Sequence, residues 1–535
     1  MTRPGRQRSY KAWTCLDWAK NLEFPRNDPD IIEIWGYTDS FSYIAGDEVR
    51  LHIHTTADRF DLAVYRDGVE RIVVHTEEQI TGVRQNTPTN AHAVGCGWTE
   101  VCSFVVGKDW RSGTYIAIFR TIDEFGDVLE RETFFVVRPV PDGQPINSIV
   151  FVLPTSTYVA YNDWGGANAY RSFDFESGTM TDEIAPRLSL NRPWGRGFAR
   201  LPVGAPRYAD FVAQEPFGVP RYPWLEFAFT YQYSRHYADA GWALFDRPFA
   251  HWLESQDYEV DYLTLHDLHA NSSLLDGYSV MVITGHDEYW SAAMRDTVDA
   301  FVESGGNLAR FGGNFMWQVR MEDDNNTQVC YKIARNDPLH ETENRHLTTT
   351  YWEAESVARP GAETVGVCGM SGTYTRMPGA APRSTGAMTV YEPKHWVFQS
   401  TDLFFADSFG GAPAYIASFE VDGVNIQIVD GKPQPTGRDG VSMDFEILAM
   451  AQSAGNYEET HTEFPIVGPR TQSDAVLCID ITEQERRDVG NVVMGVVTKG
   501  SGQIFVVGCT EWVAGLNHHD VMVEQITHNV LERFR

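Results

Sequence analysis

Between Ile32 and Val137, apolar and polar residues alternate in short runs such as Glu33-Ile34-Trp35-Gly36-Tyr37, Val49-Arg50-Leu51-His52-Ile53-His54 and Phe60-Asp61-Leu62-Ala63-Val64-Tyr65. A period of two puts every second side chain on one face of a strand, so each run predicts a half-buried strand. Residues 114–119 and 133–137 continue the pattern, and Arg66-Asp67-Gly68 and Ser112-Gly113 read as turns. Strands at this spacing predict an antiparallel, immunoglobulin-like β-sandwich over 32–138. Residues 1–31 are then an N-terminal extension, and the Pro-rich stretch 139–147 is a linker.

After the linker the pattern changes. Ile149-Val150-Phe151-Val152-Leu153 is continuously apolar, as a strand buried on both faces requires. The end of an amphipathic helix over 249–255 leads to a strand at 258–263. A strand at 278–283, a helix at 292–303 and a strand at 307–311 follow. Strands alternating with helices predict a parallel α/β sheet. Residues 325–473, rich in aromatics and Gly/Pro turns, read as a mostly β insertion. Strands at 492–497 and 504–507 and a closing helix at 521–534 complete a second domain over 148–535. The fold class expected is therefore α/β plus all-β. No internal repeat or low-complexity tract interrupts it.

Length supports this division, because 535 residues exceed the roughly 250 to 300 at which a single core stops growing. With 43% hydrophobic and 22% charged residues, the chain has apolar surface enough to fold. Its 43 Lys and Arg against 73 Asp and Glu give a net charge of -30, which repels phosphate backbones and anionic lipids. Neither nucleic acid nor a membrane is expected as a partner. Arg3, Arg6, Arg8 and Lys11 form a basic start with no signal-length apolar stretch behind it, so a soluble, cytoplasmic protein is expected. Seven scattered cysteines, without Cys-x-x-Cys spacing, form neither a disulfide framework nor a zinc ribbon; only Cys96 and Cys102 are close enough in sequence to suggest a pair.

Ligands of an open parallel sheet bind beyond the carboxyl ends of its strands, so the residues just after each strand carry the candidate chemistry. The first strand delivers Tyr158, Tyr161, Asn162 and Asp163, and the next His266, Asp267 and His269. The central strand delivers His286, Asp287 and Glu288, its neighbour Gly312-Gly313-Asn314, and the last strand Thr510-Glu511-Trp512. In a strand-to-helix turn, His286 and Glu288 can share one site, as base and metal ligand. Asp287 between them is expected to cap the following helix. The paired glycines 312 and 313 are expected to let backbone approach a ligand. Gly-x-Ser-x-Gly, phosphate-loop and His-Glu-x-x-His signatures are absent, which argues against serine hydrolase, nucleotide and zincin chemistry.

Tyr158-x-x-Tyr161-Asn162, His286-x-Glu288, Gly312-Gly313-Asn314 and Gly508-x-Thr510-x-Trp512 occur in an order that resembles the N,N-dimethylformamidase large (beta) subunit family. The resemblance runs from about Ser148 to the C-terminus. It implies a glutamine-amidotransferase-like α/β domain without the nucleophilic cysteine, and hydrolysis of an amide to a carboxylic acid and an amine. It also implies a mononuclear ferric ion, Fe(III), held by two tyrosines and a glutamate. Carried onto this chain, Glu288 is that glutamate, His286 the adjacent base, Asn314 a site asparagine and Glu420 a support for the histidine. Tyr161 and Tyr170 are the expected tyrosine ligands, with Tyr208 the alternative. A small amide substrate, a homo-oligomer and a small partner subunit are further expectations. Over 217–242, Tyr222, Trp224, Tyr231, Tyr233 and Tyr237 form an aromatic loop that reads either as cover for the site or as an oligomer contact. Two other readings stand beside this one: a non-catalytic carbohydrate- or surface-binding protein on the same scaffold, and a zinc hydrolase using His266, His269 and Glu288.

Overall fold

The computed structural model describes residues 21–26, 28–140, 147–181, 183–210, 223–376, 384–453 and 490–535. The basic start, Cys15, Cys478, Phe217 and Tyr222 of the aromatic loop, most of the linker and residues 377–383 and 454–473 of the expected insertion lie outside these.

The alternating runs near the N-terminus form two sheets. Glu48–Thr55 lies between Ile34–Thr38 and Glu100–Val105 in a three-stranded antiparallel sheet. Its Val49, Leu51 and Ile53 are buried while Glu48 and Arg50 are exposed, the period of two made physical. A five-stranded sheet runs in the order Ser42–Tyr43, Val128–Val137, Gly113–Ile122, Arg59–Asp67, Arg71–Thr81. Leu62, Val64, Phe119 and Phe135 of this sheet share a core with Ile34, Leu51 and Ile53 of the first. One pairing departs from the antiparallel expectation: Ser42–Tyr43 runs parallel to Val128–Val137.

A nine-stranded sheet dominates the rest. Its order is Val260–Thr264, Ile149–Leu153, Val280–His286, Asn307–Gly313, Gly502–Val506, Gly490–Lys499, Glu446–Ser453, Met388–Val390 and Ser408–Phe409. The first five strands are parallel. The last four are not, which corrects the expectation of a parallel sheet. The reason is local: Gly500 and Ser501 alone join two strands paired as far as Lys499 and Gly502, and a two-residue turn joins only antiparallel neighbours. Gly500 takes φ +59°, a left-handed backbone that glycine adopts freely. Three strands from the stretch expected as an insertion thus extend the central sheet itself.

Successive residues of the central strands face two different cores. Phe151, Val282, Ala309 and Phe311 pack on one side with the helices Arg247–Ser255 and Val521–Phe534. Val150, Val152, Met281, Ile283 and Leu308 pack on the other with Ala292–Glu303. Helices on both faces explain why these strands are apolar throughout. Ile116, Ile118, Phe134 and Val136 of the five-stranded sheet join the first of these cores.

Ser291, not Asp287, caps the helix Ala292–Glu303, its side chain accepting from the Met294 N–H. Cys96 and Cys102 are both free thiols. Among the described residues no helix is long and apolar enough to cross a membrane.

Candidate metal centre

The site forms where Ile149–Leu153, Val280–His286 and Asn307–Gly313 end side by side. Gly285 takes φ +66°, and a Cβ there would stand 2.4 Å from Phe245, so the position just before the strand's last residue is one only glycine can fill. His286, Asp287 and Glu288 follow, all buried. The helix Thr155–Tyr161 brings in Tyr158 and Tyr161. Asn168 fixes the loop beyond it, its Nδ2 donating to the Tyr161 carbonyl while its Oδ1 accepts from the Tyr170 N–H, both at 2.9 Å. The Tyr161 and Tyr170 rings stack at 4.5 Å.

The Tyr170 hydroxyl oxygen lies 2.7 Å from that of Tyr161, and 2.9 and 3.1 Å from the two carboxylate oxygens of Glu288. Tyr289 donates to the same phenol oxygen at 2.7 Å, and the Trp317 Nε1–H donates to Glu288 at 2.6 Å. His286 places Nδ1 2.7 Å from the Asp239 carbonyl, which only accepts, so Nδ1 carries a proton. Its Nε2 lies 2.7 Å from Glu420 and 3.4 Å from Glu288. Asn314, at φ +65°, donates to Glu420 at 2.8 Å and lies 3.3 Å from His286 Nε2. Ligand atoms of His286, Glu288 and Glu420 all lie within 4.8 Å of one another, close enough to hold one metal ion.

Burial pushes the Glu288 carboxyl up to about 7, with the Glu420 charge adding to the rise and His286 and Lys332 opposing it. For His286, burial favours the neutral ring, yet Glu420 and then Glu288 outweigh it and raise the pKa to about 9. Burial, followed by the Glu288 charge, holds the Tyr161 and Tyr170 phenols well above their ordinary range. Such a cluster has more acid groups than it can ionise by itself and gives up phenol protons only to a strong Lewis acid.

The donor set fits a small, hard cation. Its oxygens stand at about the separation of adjacent ligands when metal–oxygen bonds are roughly 2 Å, and phenolate and carboxylate suit high charge. Lys332 supplies a second observation. Its ammonium is wholly buried without a hydrogen-bond partner, 3.4 Å from the Tyr170 ring centroid, where a positive charge favours a phenolate.

Other candidates lie elsewhere. The Tyr208 hydroxyl is bonded to Asp239 and its ring stacks on Phe419 at 4.2 Å. Tyr158 is bonded to Asp246. His266 and His269, on the short helix Leu265–Ala270, bond Thr155 and Ser291 at 2.7 Å and do not join Glu288 in any metal-holding group found among the described residues. The zinc set of His266, His269 and Glu288 is therefore not assembled. Glycines 312 and 313 make room for the chain itself, since a Cβ would stand 3.0 Å from Asp287 or 2.8 Å from the Cys509 backbone. Asp287 faces Arg310 instead of a helix end. Asp239, Trp317 and Lys332 escape the sequence reading, and Tyr289 lies within its central run, 285–290, without an assigned role. Tyr289, directly after Glu288, is the only one with a positional signal.

A family model described as N,N-dimethylformamidase beta subunit-like, C-terminal, matches residues 57–525. The chain belongs to this family. Within the dimethylformamidase beta subunit-like family, the match begins just before Arg59–Asp67, so it takes in most of the five-stranded sheet and all of the central sheet. No curated protein matches the chain. Among solved structures, the sporulation control protein Spo0M from Bacillus subtilis is similar at 11% identity and a TM-score of 0.15, over 20% of this chain and 49% of that one. The chain thus spans about half the length of that structure, and the likeness carries no argument.

Proposed function

We propose that the chain hydrolyses a carbon–nitrogen amide bond, as its dimethylformamidase-like family implies, at a single ferric ion held by Tyr161, Tyr170 and Glu288. The observation that carries this reading is the convergence of two stacked tyrosines beside one glutamate, with phenol oxygens 2.7 Å apart and that of Tyr170 2.9 Å from the carboxylate. When bound, ferric iron supplies Lewis-acid chemistry, acidifying water or polarising a carbonyl.

The chain's own residues manage the proton. With Nδ1–H held on the Asp239 carbonyl, His286 Nε2 is the atom that takes the proton of the attacking water and passes it to the departing amine. Glu420 stabilises the imidazolium between those two events. A cation held by Tyr161, Tyr170 and Glu288 would oppose the two carboxylates and favour the neutral imidazole that a base requires. Asn314 orients Glu420 with one N–H and offers the other to a substrate carbonyl. Trp224 packs at 4.5 Å against Tyr208, whose ring lies on Phe419 beside His286, and this run of aromatics serves as cover for a small amide substrate. An immunoglobulin-like domain over 32–138, an amidotransferase-like domain over 148–535, a homo-oligomer and a small partner subunit belong to the same reading.

A second reading has His286, Glu288 and Glu420 hold a divalent cation such as zinc, favoured by the closeness of their ligand atoms. Metal analysis of the purified protein separates the two. Iron, with a visible tyrosinate absorption that Tyr161→Phe weakens and the Tyr161→Phe, Tyr170→Phe double variant abolishes, is the expected result. Colourless zinc protein supports the second reading, and protein isolated without metal overturns both in favour of a non-catalytic binding role.

A further inference from the structure

Beneath the metal centre lies a second buried charge cluster that the mechanism above leaves unused. Arg310, on Asn307–Gly313, is wholly buried. Its Nε and Nη2 donate to the two carboxylate oxygens of Asp287 at 2.7 and 2.6 Å, a bidentate fork. Its Nη1 donates to Asp422 at 2.6 Å, and the other Asp422 oxygen accepts from the Phe315 N–H at 2.8 Å. Asp287 and Asp422 are both fully buried.

Every partner in this cluster is a chain neighbour of a site residue. Asp287 separates His286 from Glu288, and Phe315 follows Asn314. Asp422 is two residues from Glu420 on the strand Phe419–Gly423. Thus one guanidinium is tied to the three segments that carry the proton-handling residues and the glutamate ligand. Stability does not explain it, because a buried ion cluster is often replaced by neutral residues of similar size without loss. Geometry does: a planar fork fixes direction as well as distance, and a reactive constellation works only when held to within about 0.5 Å.

We propose that Arg310 is a positioning residue, its guanidinium holding the 286–288 turn, the Asn314 backbone and the Glu420 strand in register. The proposal rests on the function proposed above for that site.

Two variants test it. Arg310→Lys keeps the charge and loses the fork. The triple variant Arg310→Met, Asp287→Asn, Asp422→Asn leaves no charge unpaired and retains volume, so it folds even where a single change does not. Arg310→Lys is expected to melt lower, because it leaves buried carboxylate oxygens without donors, and in both variants KM holds while kcat falls about 10- to 100-fold, the usual cost of losing an outer-shell partner. In a crystal structure of the triple variant, the 2.7 Å contact of His286 with Glu420 is expected to open beyond hydrogen-bond distance. A folded triple variant that keeps both this contact and the wild-type kcat overturns the proposal, as do losses that follow melting temperature alone. Wild-type protein lacking iron and amidase activity sinks the functional reading instead, and the His286–Glu420 distance still decides the role of Arg310.

Discussion

His286, buried, ends one strand of the central sheet, and His266, half-buried, follows another, with only Ile149–Leu153 between those strands. Burial presses both rings toward neutrality. His266 meets the Thr155 hydroxyl and the edge of Phe41, and burial, reinforced by His269, lowers its pKa to about 3. Against the same desolvation, His286 meets Glu420 and Glu288 and rises to about 9. Desolvation acts on both rings, and the opposite outcomes show that the facing groups, not the position at a strand's end, decide whether such a histidine holds a proton.

The largest effect is expected from His286→Gln, which removes the proposed proton carrier from one side of the comparison. Loss of a general base lowers kcat roughly 10²- to 10⁴-fold, read as amine release from an amide by protein whose circular dichroism is unchanged. Glu420→Gln is expected to be milder. It keeps a hydrogen-bonding partner for Asn314 while removing the charge that holds the imidazolium, so kcat falls about tenfold with metal content unchanged. A matching loss of metal would assign Glu420 to the ligand set.

The smallest effect on catalysis comes from His266→Gln, which leaves kcat unaltered and alters acid stability instead. The folded-state pKa of about 3 lies below the ordinary 6.5, so the unfolded chain binds the proton first. His266 therefore costs stability progressively as pH falls from about 6.5 toward about 3. Calorimetry of His266→Gln across that window is expected to show a shallower fall in melting temperature than wild type. An unchanged slope would show that His266 is not held neutral.

Much of the framework was legible because it is written in local periodicity. Ala292–Glu303 and Val521–Phe534 declare themselves through apolar spacing, and Ile149–Leu153 through an unbroken apolar run. The sheet's change of direction was not read, although the two-residue turn at Gly500-Ser501 carries it. Asp287 illustrates the limit. Before a helix, an aspartate reads as a cap, and only the arrival of Arg310 from a neighbouring strand reveals its buried partner.

The sequence by itself determined which strands end in reactive side chains, since alternation, apolar runs and helix periods depend on residues a few positions apart. It placed His286 and Glu288 on one turn and Asn314 beside it. Tertiary structure alone decided the company they keep: the Tyr161–Tyr170 stack, the approach of Glu420 to His286, and the isolation of His266. Those outcomes depend on contacts between residues far apart in the chain, and in a buried site the charge of a group is set by whatever long-range packing brings within a few ångströms of it.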